Sequence, residues 1–273
     1  MPVWQQLLMT ESEVRNFEIA SDEDELSESN RQVWKLLGIK QGDSALFFPA
    51  PNALVPIMFA KFMNKRKVTF VDTNEISVST LIKLAAQMKL SNVTVKLASP
   101  QGKFPVPDGM FDISFSDWGL SYFSSSRSGD AEILAKELVR AVKSGGRIGA
   151  LEENGAPVMY PCPPEIMAIR SKIESTRAER LIMGRRVYGL YKANNLKKIS
   201  LYGFSNFLTG ERQEKMSAEL KRRIAALEST KDILTALGVS AQEIERYASW
   251  LKSLIGNQSF LIQFNSILTV GEK

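Results

Sequence analysis

The chain has 273 residues, of which 44% are hydrophobic and 24% are charged, and its formal net charge at pH 7 is +5. Because its 30 acidic residues are interspersed with 35 basic ones, the composition disfavours a polycationic nucleic-acid-binding or membrane-surface protein. The absence of histidine excludes a Ser-His-Asp triad, a Cys-His pair or an imidazole metal ligand within this chain. The single cysteine, Cys162, excludes an intrachain disulfide and a multi-cysteine zinc site, and it fits a reducing compartment. We expect no metal.

The N-terminal region predicts neither a secretion signal nor a membrane anchor. An acidic run from Asp22 to Glu28 occurs where a signal peptide would carry basic residues. The one long uncharged run, residues 44–60, contains three prolines and is short for a membrane span. We therefore expect a cytoplasmic protein with no membrane span.

The first 40 residues predict a helical lead-in, and the pattern then alternates strands and helices up to residue 151. The predicted strands are Ala45 to Phe48, KVTFVD ending at Asp72, Asn92 to Leu97, Phe111 to Phe115 and Arg147 to Leu151. The predicted helices are Arg31 to Ile39, Ala53 to Phe62, Ile76 to Met88 and Asp130 to Val142, the last stopped by Ser144-Gly145-Gly146. This alternation predicts a parallel sheet with helices on both faces.

The second half of the chain is less regular. It predicts three helices and two late strands: Pro164 to Arg180, Arg186 to Asn194, Glu211 to Leu237, Lys198 to Phe204 and Phe260 to Val270. No internal repeat or low-complexity linker interrupts it. We therefore predict a single domain over residues 1–273, comprising a lead-in (1–40), a βα core (41–151) and a C-terminal half (152–273) with a helical insertion and a final strand pair.

Several segments occur in the order of one known family. Gly42-Asp43 precedes the first strand, and Asp72 ends the second. Three longer segments follow: FPVPDGMFDISFSDWGLSYF at 104–123, ELVRAVKSGGRIG at 137–149 and RRVYGLYKANNLKKISLYGF at 185–204. Over residues 31–273 the chain resembles class I S-adenosylmethionine-dependent methyltransferases of the small-molecule, ubiquinone-biosynthesis type. The PDG-x-FD element and the helix ending in KSGGR carry most of this resemblance, and they report fold more than activity.

The resemblance implies a Rossmann-like α/β methyltransferase fold. In that fold a seven-stranded, mostly parallel sheet has its last strand antiparallel, with helices on both faces; we add a helical C-terminal elaboration. The resemblance also implies S-adenosylmethionine bound over the carboxyl ends of the first strands. The activity it implies is methyl transfer to a small-molecule acceptor by proximity and in-line alignment, which needs no histidine.

The loop after the first strand departs from the family pattern. The family usually has an acidic residue followed by three glycines at alternating positions, and those positions here are Phe47, Pro49, Pro51 and Ala53. Glycine allows positive φ and close approach of the backbone to the cofactor. Proline fixes φ near about −65° and has no N–H, so the two prolines remove two donors to the cofactor carboxylate. We therefore expect that this loop no longer binds S-adenosylmethionine in the usual way.

The other cofactor positions implied by the resemblance are mixed. Asp72 keeps the acidic position that accepts hydrogen bonds from the ribose hydroxyls, although an aspartate before Thr73-Asn74 also suits a plain turn. Ser99 or Pro100 occurs where the family often has an acid for the adenine amino group, and Gln101 could accept in its place. The candidate cofactor-binding residues are Phe48, Pro49, Ala50, Asp72, Thr73, Ser99, Pro100, Gln101, Asp117 and Trp118.

The end of the fourth strand supplies the candidate catalytic residues. Asp117 could contact the cofactor's amino group, act as a base or simply form a turn. Tyr122 could contact substrate or belong to the core. Glu152 and Glu153 after the fifth strand are equally open, whereas Asp112 of the FD pair is usually structural in this fold.

Three functions stay open. The favoured one is a methyltransferase homologue acting on a small molecule, with impaired or lost standard cofactor binding. The alternatives are a non-catalytic binding or scaffold protein that uses the old cleft or its surface, and an active methyltransferase with a non-standard cofactor loop. The partner is thus a small-molecule acceptor or a protein, and a homo-oligomer is compatible with either. The basic clusters Arg185-Arg186, Lys197-Lys198 and Lys221-Arg222-Arg223 lack interleaved aromatics and predict solvated helix faces, not a nucleic-acid site.

Overall fold

The computed structural model describes residues 23–40, 42–48, 54–63, 66–99, 103–124, 130–176 and 178–273. Within these ranges the chain forms two compact units. The sheet unit comprises Asp22–Asn154, Ile182–Phe204 and Ser266–Lys273, and the helical unit comprises Gly155–Leu181 and Ser205–Asn265. The prediction of one domain over residues 1–273 stays a prediction.

The sheet unit contains most of the strands. In chain order its elements are α1 (Glu23–Leu36), β1 (Ala45–Phe48), α2 (Leu54–Phe62), β2 (Val68–Asp72), α3 (Glu75–Gln87), β3 (Val93–Leu97), β4 (Phe111–Asp117), α4 (Gly119–Ser124), α5 (Asp130–Ala141) and β5 (Val142–Glu153). The elements of the helical unit that follow are β6 (Val158–Tyr160), α6 (Pro164–Ser175) and α7 (Ala178–Leu181). The remaining elements are α8 (Met183–Ala193), β7 (Lys197–Thr209), α9 (Gln213–Ser229), α10 (Lys231–Ala236), α11 (Ala241–Ser253) and β8 (Leu261–Glu272). Helix α8 belongs to the sheet unit, α9 to α11 belong to the helical unit, and β7 and β8 each contribute one end to each unit.

The strand order is β3-β2-β1-β4-β5-β8-β6, and β7 also pairs with β8. Strands β1 to β5 are parallel, and β8 runs antiparallel to β5. Because parallel strands end at the same edge of a sheet, the carboxyl ends of β1, β2, β4 and β5 lie along one edge, called the carboxyl edge below. The predicted Rossmann-like fold with an antiparallel last strand is confirmed. The sheet has eight strands, one more than the predicted seven.

The sheet is buried on both faces at β1, whose side chains alternate between two apolar clusters. Leu46 and Phe48 belong to the apolar cluster that includes Leu138 of α5. Phe47, between them, belongs to the cluster on the other face, which includes Trp34 of α1. All four residues of β1 are buried, so the strand reads as a continuous apolar run.

The helical unit has its own core. Helices α6, α9 and α11 present buried residues at helical spacing, including Ile166, Ile169 and Ile173 of α6. Strand β6 pairs antiparallel with the start of β8, so that Met159 lies opposite Ile262 and both are buried in this core.

Several element boundaries differ from the prediction. Helix α5 ends at Ala141, and β5 begins at Val142, five residues before the predicted strand. The register between β4 and β5 shifts from Phe111–Val142 to Ile113–Arg147, so the residues predicted to stop the helix form an irregularity at the start of β5. Of the predicted lead-in, residues 1–22 lie outside the described residues. In the part of the chain described here, no helix combines the length and apolar character needed to cross a membrane.

Candidate functional site at the carboxyl edge

The fold brings several candidate residues to the carboxyl edge. Phe48, Asp72 and Asp117 end β1, β2 and β4, Thr73 and Trp118 each come one residue later, and Ser99 follows β3 by two residues. The other candidate cofactor residues, Pro49, Ala50, Pro100 and Gln101, lie outside the described residues, as do Pro51 and Ala53.

Phe47 occupies the family's acidic position with an apolar ring. Its side chain is 1% exposed. It contacts three other rings, Phe59, Phe70 and Phe115, with centroid separations of 5.1, 5.7 and 5.2 Å. A phenyl ring offers no hydrogen-bond acceptor to a ribose or an amine, and this one is used entirely in packing. The end of β1 therefore lacks the carboxylate that the family places there.

Phe48 is covered by the segment that precedes β4. Its ring stacks on Phe104 with a centroid separation of 4.9 Å. The Phe104 N–H donates to Glu137 Oε2 at 2.8 Å, and its carbonyl accepts from Arg140 Nη2 at 3.1 Å. Arg140 also donates to the Val106 carbonyl at 2.9 Å. The segment is thus fastened to α5, and its ring packs against the last residue of β1.

Asp72 is present at its expected position and is used within its own turn. It is 3% exposed, and its Oδ1 accepts the Asn74 N–H at 2.9 Å. Burial raises the pKa of Asp72 to about 6, against the opposing effect of hydrogen bonds from Asn74, Thr73 and Ser77. Asn74 caps α3, accepting the N–H groups of Ile76 and Ser77 at 2.8 and 3.1 Å. The sequence left two roles open for the Asp72 carboxyl, a turn residue or a ligand contact. The hydrogen bonds that it accepts in the structure are those of the turn.

Ser99 likewise uses its polar groups locally. Its hydroxyl accepts the Lys103 N–H at 3.1 Å, and its own N–H donates to the Lys103 carbonyl at 3.1 Å. The described end of this loop therefore offers no acid toward an adenine.

Asp117 differs from the other acids at this edge because it accepts no hydrogen bond from any described residue. It is 7% exposed, and burial raises its pKa to about 7. The next residue, Trp118, has φ of 57°, in the left-handed region that non-glycine residues rarely adopt. Its N–H donates to the Leu151 carbonyl at 2.8 Å. The chain thus turns sharply after β4, and Asp117 stays at the edge with unused acceptor capacity.

Glu152 is the most completely engaged acid of the site. It is fully buried near the end of β5. Its Oε1 accepts the Leu120 N–H at 2.8 Å, and its Oε2 accepts the N–H of Ser121 at 3.1 Å together with a close hydrogen bond from the Ser121 hydroxyl. Burial raises the pKa of Glu152 to about 8; the bonds from α4 oppose this rise and nearby Asp117 adds to it.

Three buried hydroxyl groups on or beside this part of the sheet were not singled out by the sequence. The hydroxyls of Ser116, Tyr191 and Thr269 are fully buried and have no hydrogen-bond partner among the described residues. The strand register places Ser116 and Thr269 on either side of Ala150. Burial, and then Glu152, raise the pKa of Tyr191. A polar residue within the otherwise apolar sequence of β4 was the sequence signal that could have pointed to Ser116. The sequence of α8 carries no signal that the Tyr191 hydroxyl is buried.

The remaining candidate residues, Tyr122, Glu153 and Asp112, show no contact in the described structure that indicates a catalytic or binding role. Tyr122 lies in α4, but its side chain is outside the description. Glu153 is partly exposed at the end of β5. Asp112 lies near the opposite end of β4. Burial raises its pKa, but hydrogen bonds from Lys143 and Ser44 outweigh that effect and lower the pKa to about 2. No group of three or more acidic or cysteine side chains in the described ranges is placed to hold a metal ion.

Comparison with known proteins gives matches at the level of structure. No protein-family model matches the sequence, and no curated protein matches it significantly. A putative methyltransferase from Bacillus halodurans C-125 is 13% identical, with 89% of this chain and 97% of that one covered and a TM-score of 0.58. Phosphoethanolamine N-methyltransferase 2 from Haemonchus contortus, solved with S-adenosyl-L-methionine, is 15% identical over 97% of this chain and 57% of that one, with a TM-score of 0.58. The [4+2]-cyclase SpnF is 14% identical over 90% and 80%, with a TM-score of 0.54.

These likenesses show that the chain has the class I S-adenosylmethionine-dependent methyltransferase fold. Identities of 13 to 15% speak to the fold alone. A neighbour described as a cyclase shows that similar folds occur with other activities.

Proposed function

We propose that this protein is a homologue of small-molecule methyltransferases that has lost the standard mode of S-adenosylmethionine binding. The observation that carries the proposal is the burial of Phe47 among three other aromatic rings at the family's acidic position. A ligand contact there would need an acceptor that the ring does not have. The described residues at the end of β1 therefore do not fit S-adenosylmethionine bound in the standard way, and we propose no catalytic step that uses this cofactor.

The environment of Asp72 supports the same conclusion. The cofactor's ribose would need acceptor capacity from this carboxyl, which is 3% exposed and already accepts the Asn74 N–H. With a pKa raised to about 6 by burial, the group also carries part of its population in the neutral form near pH 6. The Asp72 carboxyl is buried and accepts a hydrogen bond within its own turn, so it is a poor anchor for the cofactor by itself. The acidic residue that the family has at the end of β1 is replaced here by Phe47.

A second candidate function, a binding protein that uses the old cleft for another ligand, is supported by Asp117. Its carboxyl is buried at the carboxyl edge and accepts no hydrogen bond from the described residues, so it has capacity for a small molecule. A protein partner and a homo-oligomer are compatible with either function. The single cysteine fits the cytoplasmic location that we propose.

Thermal unfolding with added ligand tests the proposal. A ligand that binds only the native state raises the free energy of unfolding by RT ln(1 + [L]/Kd), and the melting temperature rises with it. We expect neither S-adenosylmethionine nor S-adenosylhomocysteine to raise it at concentrations up to about 1 mM. Asp72→Asn is the matched variant, because the amide oxygen can still accept the Asn74 N–H. A shift in the unmodified protein that disappears in Asp72→Asn would show standard cofactor binding and refute the proposal.

A further inference from the structure

Strand β6, the start of β8 and the end of β7 form a small sheet within the helical unit. One face of this sheet belongs to the core of the unit, because Met159 and Ile262 are buried there and Leu208 packs against the same core. Successive side chains of a strand point to opposite faces, so the residues that alternate with these three lie on the other face. That face, called the outer face below, consists of Val158, Tyr160, Ser205, Phe207, Thr209, Leu261, Gln263 and Asn265.

One row of side chains crosses all three strands of the outer face. The register of β6 and β8 places Val158 beside Gln263. On the other side of β8, the Ser205 hydroxyl of β7 donates to Asn265 Oδ1 at 2.7 Å. A backbone hydrogen bond of 2.7 Å between the residue after β7 and the residue before β8 keeps the same antiparallel register. Phe207 therefore also lies beside Gln263, so the row runs from Val158 through Gln263 to Phe207.

The outer face is apolar where an exposed sheet face is normally polar. Val158, Tyr160 and Phe207 are 49%, 65% and 57% exposed. An antiparallel sheet with one face on the core usually alternates apolar residues inside with polar residues outside. None of the eight residues of the outer face is charged, although 24% of the chain is. The centres of protein interfaces are likewise depleted of charge and enriched in aromatic residues, so the outer face has the composition of a contact surface.

We propose that the outer face is the contact surface between two copies of this chain. A twofold contact sets a patch against itself, so a charged patch would repel its copy, whereas this uncharged one does not. Val158 and Phe207 lie on opposite sides of Gln263 in one row. A twofold axis parallel to β8 therefore places Phe207 of each copy against Val158 of the other, with the two sheets packed face to face. Each apolar side chain is then covered by an apolar side chain of the second copy.

The size of the outer face indicates a weak, reversible dimer. Its three most exposed side chains offer roughly 400 Å² of surface per copy, within the range of patches that are often functional. A stable interface of standard size buries about 800 Å² per partner. We therefore expect a dissociation constant on the order of 10 to 100 μM. This inference holds whether or not the chain binds S-adenosylmethionine.

Sedimentation velocity at chain concentrations from about 5 to about 500 μM tests the proposal. We expect the average mass to rise from that of one chain toward that of two. Phe207→Lys buries a charge in the contact, so it should raise the dissociation constant by at least about tenfold. Leu237→Lys is the matched control, because Leu237 is also 57% exposed in the helical unit but lies outside the outer face. It should leave the dissociation constant unchanged, and the circular dichroism of both variants should match that of the unmodified protein.

A mixing experiment tests the twofold arrangement itself. Val158→Glu should weaken self-association as Phe207→Lys does. Because Phe207 of one copy lies against Val158 of the other, a mixture of the two variants pairs the lysine with the glutamate and should associate more tightly than either variant alone. A mixture no tighter than its components would contradict this arrangement. A chain that stays monomeric up to about 500 μM, or a dimer that Phe207→Lys leaves intact, would overturn the proposal.

Discussion

Three buried carboxyl groups dominate the electrostatics of the carboxyl edge. Burial raises the pKa of Asp72 to about 6, that of Asp117 to about 7 and that of Glu152 to about 8. The sequence identifies each as an acid at the end of a strand. It does not reveal that Asp117 and Glu152 are buried with no described lysine or arginine paired to them, because that depends on which side chains the fold brings around them.

Asp72 gives a pH prediction with a definite sign. Since its pKa is raised by burial, its contribution to stability is fully present below about pH 4 and is lost as the pH rises through about 6. The loss amounts to at most about 3 kcal/mol by the usual conversion of a pKa shift. Asp72→Asn should remove this contribution, so that its free energy of unfolding, measured with urea, falls less between about pH 4.5 and pH 7.5 than that of the unmodified protein.

The exposed acid Glu245 provides the control for this experiment. Its side chain is 68% exposed and pairs with Lys231 in the helical unit. Glu245→Gln should give a curve parallel to that of the unmodified protein. Equal slopes for Asp72→Asn and the unmodified protein would show that Asp72 is not held in a buried environment.

Among the secondary-structure elements, strands with long apolar runs were predicted well and short or irregular ones were not. Strands β1 and β2 match the prediction because both are fully buried, which gives β1 a continuous apolar sequence and β2 a sequence rich in β-branched residues. Strand β6 has three residues, too few for a periodic pattern. Helix α11 was missed although Ser240 and Glu243 form a capping box that the sequence displays as S-x-x-E.

The link between α5 and the segment after β3 gives a prediction at this scale. Arg140 donates to the carbonyls of Phe104 and Val106 and pairs with Glu137 at 2.7 Å. Arg140→Ala would leave these acceptors without their donor, and we expect it to lower the free energy of unfolding by about 2 kcal/mol or more. Urea unfolding measures the difference.

Arg246→Ala is the matched control for Arg140→Ala. Arg246 is 60% exposed and lies 3.7 Å from Glu165, so its loss should cost less than about 0.5 kcal/mol. If the two variants were equally stable, the Arg140 network would not hold the Phe104 segment in place.

For the whole molecule, the alternation of strands and helices was sufficient to predict an open α/β sheet, and the family resemblance supplied its antiparallel last strand. The same sequence placed Phe47 at the cofactor position but could not show that its ring is packed against three others. Arg222 and Arg223 were predicted to lie on a solvated helix face. The Arg222 side chain is 63% exposed, as predicted, but that of Arg223 is only 19% exposed and lies over the Phe264 ring. Both pair with Glu219 of the same helix, at 2.8 and 2.7 Å.

The central claim, loss of standard cofactor binding in a methyltransferase fold, is tested most directly by calorimetric titration with S-adenosylmethionine. The buried Phe47 cluster and the engaged Asp72 carboxyl predict no measurable heat of binding at cofactor concentrations up to about 1 mM. Binding with a dissociation constant near about 1 μM, abolished by Asp72→Ala, would contradict the claim and show that the cofactor site is intact.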